Sequence, residues 1–271
     1  MTEEQEEHEY RYSKRPLSHA ELTDIIDLCL WAGQMLLQYG ANSFRVEEST
    51  HRFGTGLGCD WLDIIVRTES ITVTASSGGE FRTKTRRVVG LGVNMACMAA
   101  INTVSREIER GELDRVEARR KLEAISHTSG NYNRWVTVGM VGIACGAFSQ
   151  LFGGDWHILL VTFVAASVAM FVRQEGHKRQ FNPFIVTAVC AVVAGLIASV
   201  SVPLKFGTAP EAAMTACVLL LVPGVPLINA THDFLRGYMS NGITRGVLGF
   251  IISMCIALGL MVVLLLTGES I

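Results

Sequence analysis

Asn133-Arg134-Trp135-Val-Thr-Val-Gly139-Met-Val-Gly142-Ile-Ala-Cys145-Gly146-Ala-Phe-Ser149-Gln-Leu-Phe152 is the stretch in which this chain changes its solvent. After Asn133, only seven of the 23 Lys/Arg and five of the 25 Asp/Glu remain for the rest of the 271 residues. The acids there are Asp155, Glu175, Glu211, Asp233 and Glu269. A water-soluble domain so poor in charge would expose one continuous apolar patch, so lipid is its natural surroundings. The modest mean hydropathy of +0.35 therefore averages two unlike halves. The expected fold is a polytopic α-helical membrane domain of five transmembrane helices, residues 134–271, behind an N-terminal soluble α+β domain, residues 1–133.

Apolar runs occur at Trp135 to Phe152, His157 to Val172, Pro183 to Val202, Ala212 to Asn229 and Val247 to Thr267. Each approaches the roughly 20 residues that cross about 30 Å of hydrocarbon. Arg173, Lys178 and Arg179 follow the second run and Arg236 and Arg245 follow the fourth, whereas the first and third are followed only by Lys205. The positive-inside rule then puts the even-numbered loops and the N-terminus in the cytoplasm and the tail Gly268 to Ile271 in the periplasm. Trp135 and Trp156 bracket the first run where indoles favour the interface. The Glu-, Arg- and Lys-rich stretch from Met1 to Pro16 has no apolar core, so no cleavable signal peptide is expected.

Upstream of Asn133 the periods are those of a folded domain. Leu22, Ile25, Ile26, Cys29, Ala32 and Leu36 recur at helical spacing behind a Ser18-His-Ala-Glu21 capping box. Ser43 is a second candidate cap, for a helix through Phe53 that ends at Gly54-Thr-Gly56-Leu-Gly58. The period then changes to two: Leu62, Ile64, Val66; Ile71, Val73, Ala75; Phe81, Thr83, Thr85, with Ser76-Ser-Gly78-Gly79 as a hairpin turn. Helices over about Val93 to Arg110 and Glu112 to Ser126 complete the domain. The three glycines follow a helix and precede a strand, the reverse of a phosphate cradle. Glu47, Glu48, Asp60 and Asp63 read as solvated acids, and no Ser/His/Asp or Cys/His set stands out. The seven cysteines lack CxxC spacing and read as small buried apolar residues, with neither metal nor disulfide implied. A near-neutral charge without a basic, aromatic-laced stripe argues against nucleic acid.

The segment richest in chemistry is Leu219-Leu-Leu-Val-Pro223-Gly224-Val-Pro226-Leu-Ile-Asn229-Ala-Thr231-His232-Asp233-Phe-Leu-Arg236-Gly237. Pro223, Gly224 and Pro226 open the helix ladder, and in lipid an opened helix is tolerable only where protein or water satisfies the freed carbonyls. Interrupted helices of this kind carry transporter binding sites. Asn229, Asp233 and Arg236 fall on one helical face. Two readings stand for the set: interfacial residues, with Asp233 pairing with Arg236 on the helix surface, or groups in substrate and proton traffic, where an intramembrane carboxylate is a functional candidate by default. In a proton-coupled scheme Asp233, with His232, exchanges a proton while Asn229, Thr231 and Arg236 meet a solute carboxylate. Arg173 either snorkels to the headgroups or binds a carboxylate. Ser149, Thr162, Ser167, Thr187, Thr215 and Ser253 read as helix-packing or backbone-bonding groups, and Gly139, Gly142, Gly146 and Gly195 as close helix contacts.

The chain resembles the threonine/serine exporter family, and within it the split-subunit branch that includes one component of a bacterial succinate exporter. The resemblance runs from about Leu22 to Thr267. It rests on Gly40-Ala41-Asn42-Ser43-Phe44-Arg45-Val46-Glu47, Gly92-Val93-Asn94-Met95, Arg134-Trp135, Gly153-Gly154-Asp155-Trp156, Ala169-Met170-Phe171-Val172-Arg173-Gln174 and the Leu220 to Gly237 segment. It implies an inner-membrane exporter, not an enzyme, for small amino acids or C4 dicarboxylates, whose pathway is completed by a separately encoded smaller membrane subunit. No cofactor is implied, and no Walker pattern supplies an ATP site. The competing readings are a membrane-tethered hydrolase and a scaffold whose N-terminal domain senses a cytoplasmic ligand.

Overall fold

A computed structural model describes residues 16–90, 92–127, 132–201 and 210–268. The charged run before Pro16, Lys205 and the tail from Glu269 lie outside the described residues. The chain is mostly helical with one small sheet, and it gathers into two compact units. The units are not sequential, because Val225–Gly246 group with the N-terminal residues while Val247 onward groups with the apolar helices before Gly224.

The first unit opens with α1 (His19–Gln38), where Ser18 and Glu21 cap each other reciprocally. Its apolar face, Leu22, Ile25, Ile26, Cys29 and Leu36, is fully buried. The sheet is a meander of β1 (Trp61–Arg67), β2 (Ser70–Ser77) and β3 (Glu80–Arg87), antiparallel throughout. Ile71, Val73 and Ala75 of β2 are buried in the same core as the α1 face, whereas Phe81 on β3 looks outward and is 76% exposed. Gly78 and Gly79 both take positive φ, as a two-residue primed turn between β2 and β3 requires. α2 (Ser43–Gly56), α3 (Met95–Glu109) and α4 (Arg115–His127) close the core. The cap of α2 is Asn42, whose Oδ1 accepts from the Arg45 amide, and not Ser43, whose amide and hydroxyl are engaged elsewhere. α2 also runs through Gly54 to Gly56, because β1 and α3 pack too closely there for side chains: a Cβ at Gly54 would overlap Leu62, and one at Gly56 would meet the Ile108 carbonyl. Six of the seven cysteines are buried. Burial pushes the Cys29 thiol well above its usual range.

The second unit contains α5 (Arg134–Leu151), α6 (Trp156–Lys178), α7 (Pro183–Ser199), α8 (Pro210–Val218) and the later part of α10 (Met239–Thr267). Asn133, Asp155 and Asn182 cap the first three of these with their side-chain oxygens. The core is built from small residues, with Ala165, Ala169, Ala191, Ala194 and Ala198 all inaccessible to solvent. Small residues let helix backbones approach where no hydrophobic drive separates protein from lipid. Outward-facing positions are large and apolar, among them Leu160, Ile185, Leu258 and Leu265. Thr162, Thr187, Thr215, Ser149 and Ser253 bond back to their own helices.

Of five expected spans, two described helices, Trp156–Lys178 and Met239–Thr267, are long and apolar enough to cross a membrane, or three if the bent pair Glu211–Leu221 and Gly224–Leu235 is one span. The shortfall has physical causes. α7 is apolar but has 17 residues, about 26 Å of helix. In α5 the glycines Gly139, Gly142 and Gly146, with Arg134 and Gln150, dilute its apolar character.

The two glycine faces of α5 predict different responses. A Cβ at Gly142 would fall on the Ser167 hydroxyl and the Phe163 ring, whereas Gly139 has nothing within reach. Gly142→Leu is expected to destabilise the detergent-solubilised protein by about 1–3 kcal/mol in thermal unfolding, and Gly139→Leu to leave it unchanged. Equal effects would contradict this packing.

Candidate functional site

The helix interruption expected around Pro223 is a stop and a restart. α8 tightens into a single 3-10 turn at Leu219–Leu221, Val222 leaves helical geometry at ψ 127°, and α9 (Gly224–Leu235) begins after Pro223. Pro226 sits in the first turn of α9, where an amide would have no intrahelical acceptor, so proline costs little. The carbonyls released by the stop are met locally: Leu219 accepts from the Val222 amide at 3.2 Å, and Leu220 accepts from Arg173 Nη1 at 3.3 Å. Arg173 therefore holds a broken helix end.

The polar face after the break is spent on the turn between α1 and α2. Gly40 ends α1 with φ +91°, and a Cβ there would meet the Gly92 carbonyl at 3.0 Å, so the chain can reverse tightly only with glycine. The Gly40 carbonyl accepts from Asn229 Nδ2 at 2.8 Å, and the Ala41 carbonyl from Arg245 Nη2 at 2.9 Å. Asp233 is wholly buried and receives the Ser43 amide at 3.0 Å and the Ser43 hydroxyl at 3.1 Å. Arg245 Nη1 stands 3.1 Å from the same carboxylate. Asn241 Nδ2 donates to Ser43 Oγ at 2.7 Å and to the Val66 carbonyl at 2.9 Å, which ties the cluster to β1.

Ser43 is the first residue of α2, so Asp233 sits on the positive end of that helix dipole as well as beside a guanidinium. A buried carboxylate is tolerable only with such partners. Tyr238 adds a rim contact, donating to Glu47 Oε2 at 2.6 Å. Burial, and then the neighbouring carboxylate, push the phenol up.

Placed on this geometry, the expected site residues separate. Asn229 and Asp233 share the face that meets the α1–α2 turn. Arg236 does not pair with Asp233: the helix has ended by Gly237, at φ +84°, and the guanidinium lies over the Phe44 ring, 4.3 Å from its centroid. Thr231 is exposed and bonds back to the Leu227 carbonyl, and His232 Nδ1 is buried without a hydrogen-bond partner among the described residues. Ser43, Asn241 and Arg245 were not singled out for this role from sequence. The available signals were a base at Arg245 on the edge of an apolar run and the Gly40-Ala41-Asn42-Ser43 motif. Among the described residues, no group of three or more His, Cys, Asp or Glu could hold a metal ion.

This clasp joins two sequence motifs about 190 residues apart, and both lie inside one region of similarity. A family model described as "Putative threonine/serine exporter" matches residues 27–267. The chain belongs to the threonine/serine exporter family. A relative from Klebsiella aerogenes, named "Probable succinate transporter subunit YjjP", is 33% identical over 250 residues, which are 92% of this chain and 96% of that protein. Its namesake from Escherichia coli K12 is 32% identical, over 89% of this chain and 94% of that one. The threonine/serine exporter of Corynebacterium glutamicum is 22% identical over 81% of this chain but only 46% of its own length. No solved structure matches the chain.

In this family member the buried pair predicts an asymmetric mutational cost. Asp233→Ala leaves Arg245 buried and unpaired and is expected to cost about 3–5 kcal/mol. The double variant Asp233→Ala/Arg245→Leu should recover part of that loss, and Arg236→Ala should cost under about 1 kcal/mol. Thermal unfolding of the purified protein reads all three, and an Asp233→Ala effect as small as that of Arg236→Ala would contradict the clasp.

Proposed function

We propose that the chain is one subunit of an inner-membrane secondary exporter for small carboxylate-bearing solutes, a succinate-like dicarboxylate or threonine and serine. A second, separately encoded small membrane subunit would complete the pathway. The observation that carries this reading is the contrast in coverage. The chain aligns with almost the whole of relatives that are named subunits and with less than half of a relative named as the exporter itself. The unmatched part of the longer protein is what a second subunit would supply.

In this proposal residues 134–271 cross the membrane five times, with the N-terminus in the cytoplasm and the C-terminus in the periplasm, as the Lys/Arg bias of the even loops favours. α5 and α7 would then be short spans, accommodated by neighbouring helices or local thinning. Arg173 is the first contact for a solute carboxylate: its bond to the Leu220 carbonyl is long, and a carboxylate would offer it a stronger charge-assisted partner. Pro223, Gly224 and Pro226 keep that carbonyl out of a continuous ladder. Thr231 and Arg236, both exposed, follow the break in sequence and would also meet the solute. Asn229 acts by holding the segment to Gly40. Asp233, with His232 next to it, is the group through which a proton would act, since neutralising it removes the charge that Ser43 and Arg245 answer.

Two of the acids expected to be solvated, Glu47 and Glu48, are engaged by neighbouring side chains, which gives the hydrolase alternative little support. Glu48 and Glu109 both pair with Arg52, at 2.7 and 3.2 Å, and Glu47 holds Tyr238.

Reconstitution tests the proposal. Liposomes loaded with labelled succinate or threonine and carrying this chain alone should release label no faster than empty liposomes, and those carrying both subunits should release it faster under a proton gradient. Full export by the single chain would refute the two-subunit reading. In the complete system, Pro223→Ala/Pro226→Ala should fold yet lose export, because a continuous helix would withdraw the Leu220 carbonyl from Arg173. Wild-type rates at matched abundance would show the break to be structural. A periplasm-active reporter should be silent after His177 and active after Ile271.

A further inference from the structure

A groove of about 410 Å³ lies between the end of α6 and the start of α7. One wall is Phe171, Val172 and Gly176, and the other is Phe181, Ile185 and Val189, spaced four residues apart. The second wall is open: Phe181 is 59% and Ile185 63% exposed. Gly176 sets the distance between the walls, since a Cβ there would collide with Val186. The groove is apolar along its length and charged at one end, where Glu175 and Arg179 stand. Arg179 Nε donates to Glu175 Oε1 at 3.0 Å and Arg134 Nη2 to Oε2 at 3.3 Å. The Arg134 guanidinium also lies over the Phe171 ring, 4.7 Å from its centroid, and Trp135 stacks on the same ring at 5.7 Å. With Lys178 next in sequence to Arg179, three bases surround one acid at this end. The Arg179 side chain is 64% exposed, and its terminal nitrogens make no hydrogen bond among the described residues.

Hydrocarbon lies against any apolar helix in a bilayer, but a groove with a cationic mouth between helices discriminates by headgroup. We infer that this groove holds an acyl chain of an anionic phospholipid, whose phosphodiester is met by Arg179 and Arg134. An indole and two guanidiniums at the mouth are the groups that favour headgroup depth, and their net positive charge is answered by a phosphate ester. An apolar helix of another protein would fill the groove but bring no anion to the terminal nitrogens of Arg179 or to Lys178. The inference rests on the proposed placement of α6 and α7 in the bilayer, and it is independent of the proposed solute route.

Native mass spectrometry of the full-length protein tests it, after exchange into detergent holding equal amounts of phosphatidylglycerol and phosphatidylethanolamine. One phosphatidylglycerol should be retained in roughly fivefold excess or more, and Arg179→Gln should reduce that excess by about fivefold. Ile185→Trp, on an open position that burdens no core, should fill the groove and displace the lipid. Equal retention of the two lipids, or an excess that neither variant changes, would overturn the inference. So would a polypeptide, in place of lipid, captured by a photocrosslinker at Ile185.

Discussion

A carboxylate with no access to water has to be answered by charge and by hydrogen bonds, and Asp233 is answered three times over. The Ser43 amide and hydroxyl and the Arg245 guanidinium each come within about 3 Å of it. These partners lie on elements far apart in sequence, so the carboxylate fixes where Val225–Gly246 can sit. That segment is covalently continuous with α8 through the break at Pro223 and with the long apolar part of α10. Removing the charge would leave Arg245 buried without its counter-ion, which is why the clasp behaves as a unit.

The second unit obeys a different constraint. Its helices have no hydrophobic incentive to associate in lipid, so contact has to come from close approach of small residues. Gly142 against Phe163 and Ser167, Gly176 against Val186, and Gly259 against Ala191 supply it. Backbone polarity is the other half of the constraint. The helix stop at Leu219–Leu221 frees a carbonyl that lipid could not hydrate, and Arg173 takes it up. The same arginine contacts the interruption directly, so one side chain serves both the fold and the proposed pathway.

Much of the architecture was legible because it rests on local periods. The capping box at Ser18, the apolar stripe of α1, the strand alternation from Leu62 and the turn at Gly78-Gly79 all depend on neighbours within a few residues. The helix interruption was legible for the same reason, since two prolines around a glycine act locally. The partner of Asp233 was not. Arg236 lies three residues away and satisfied the helical spacing, whereas Arg245 lies beyond a second helix start and becomes the partner only when Gly237 turns the chain. The cap of α2 was misplaced by one residue for a related reason: Ser43 has the right chemistry for a cap, but its amide and hydroxyl are drawn off by a carboxylate 190 residues away. The number of spans also resists local reading, because α7 is short and α5 is diluted by glycine and polar residues.

The clasp makes two distant stretches share one stability, and backbone hydrogen exchange measures that directly. In the intact protein, amides around Ser43 and those from Asn229 to Arg245 should be protected together. In Asp233→Ala, both stretches should exchange faster by a similar factor while α1 and β2 keep their protection. Protection at Ser43 that survives the substitution, or a loss confined to Asn229–Arg245, would contradict the account.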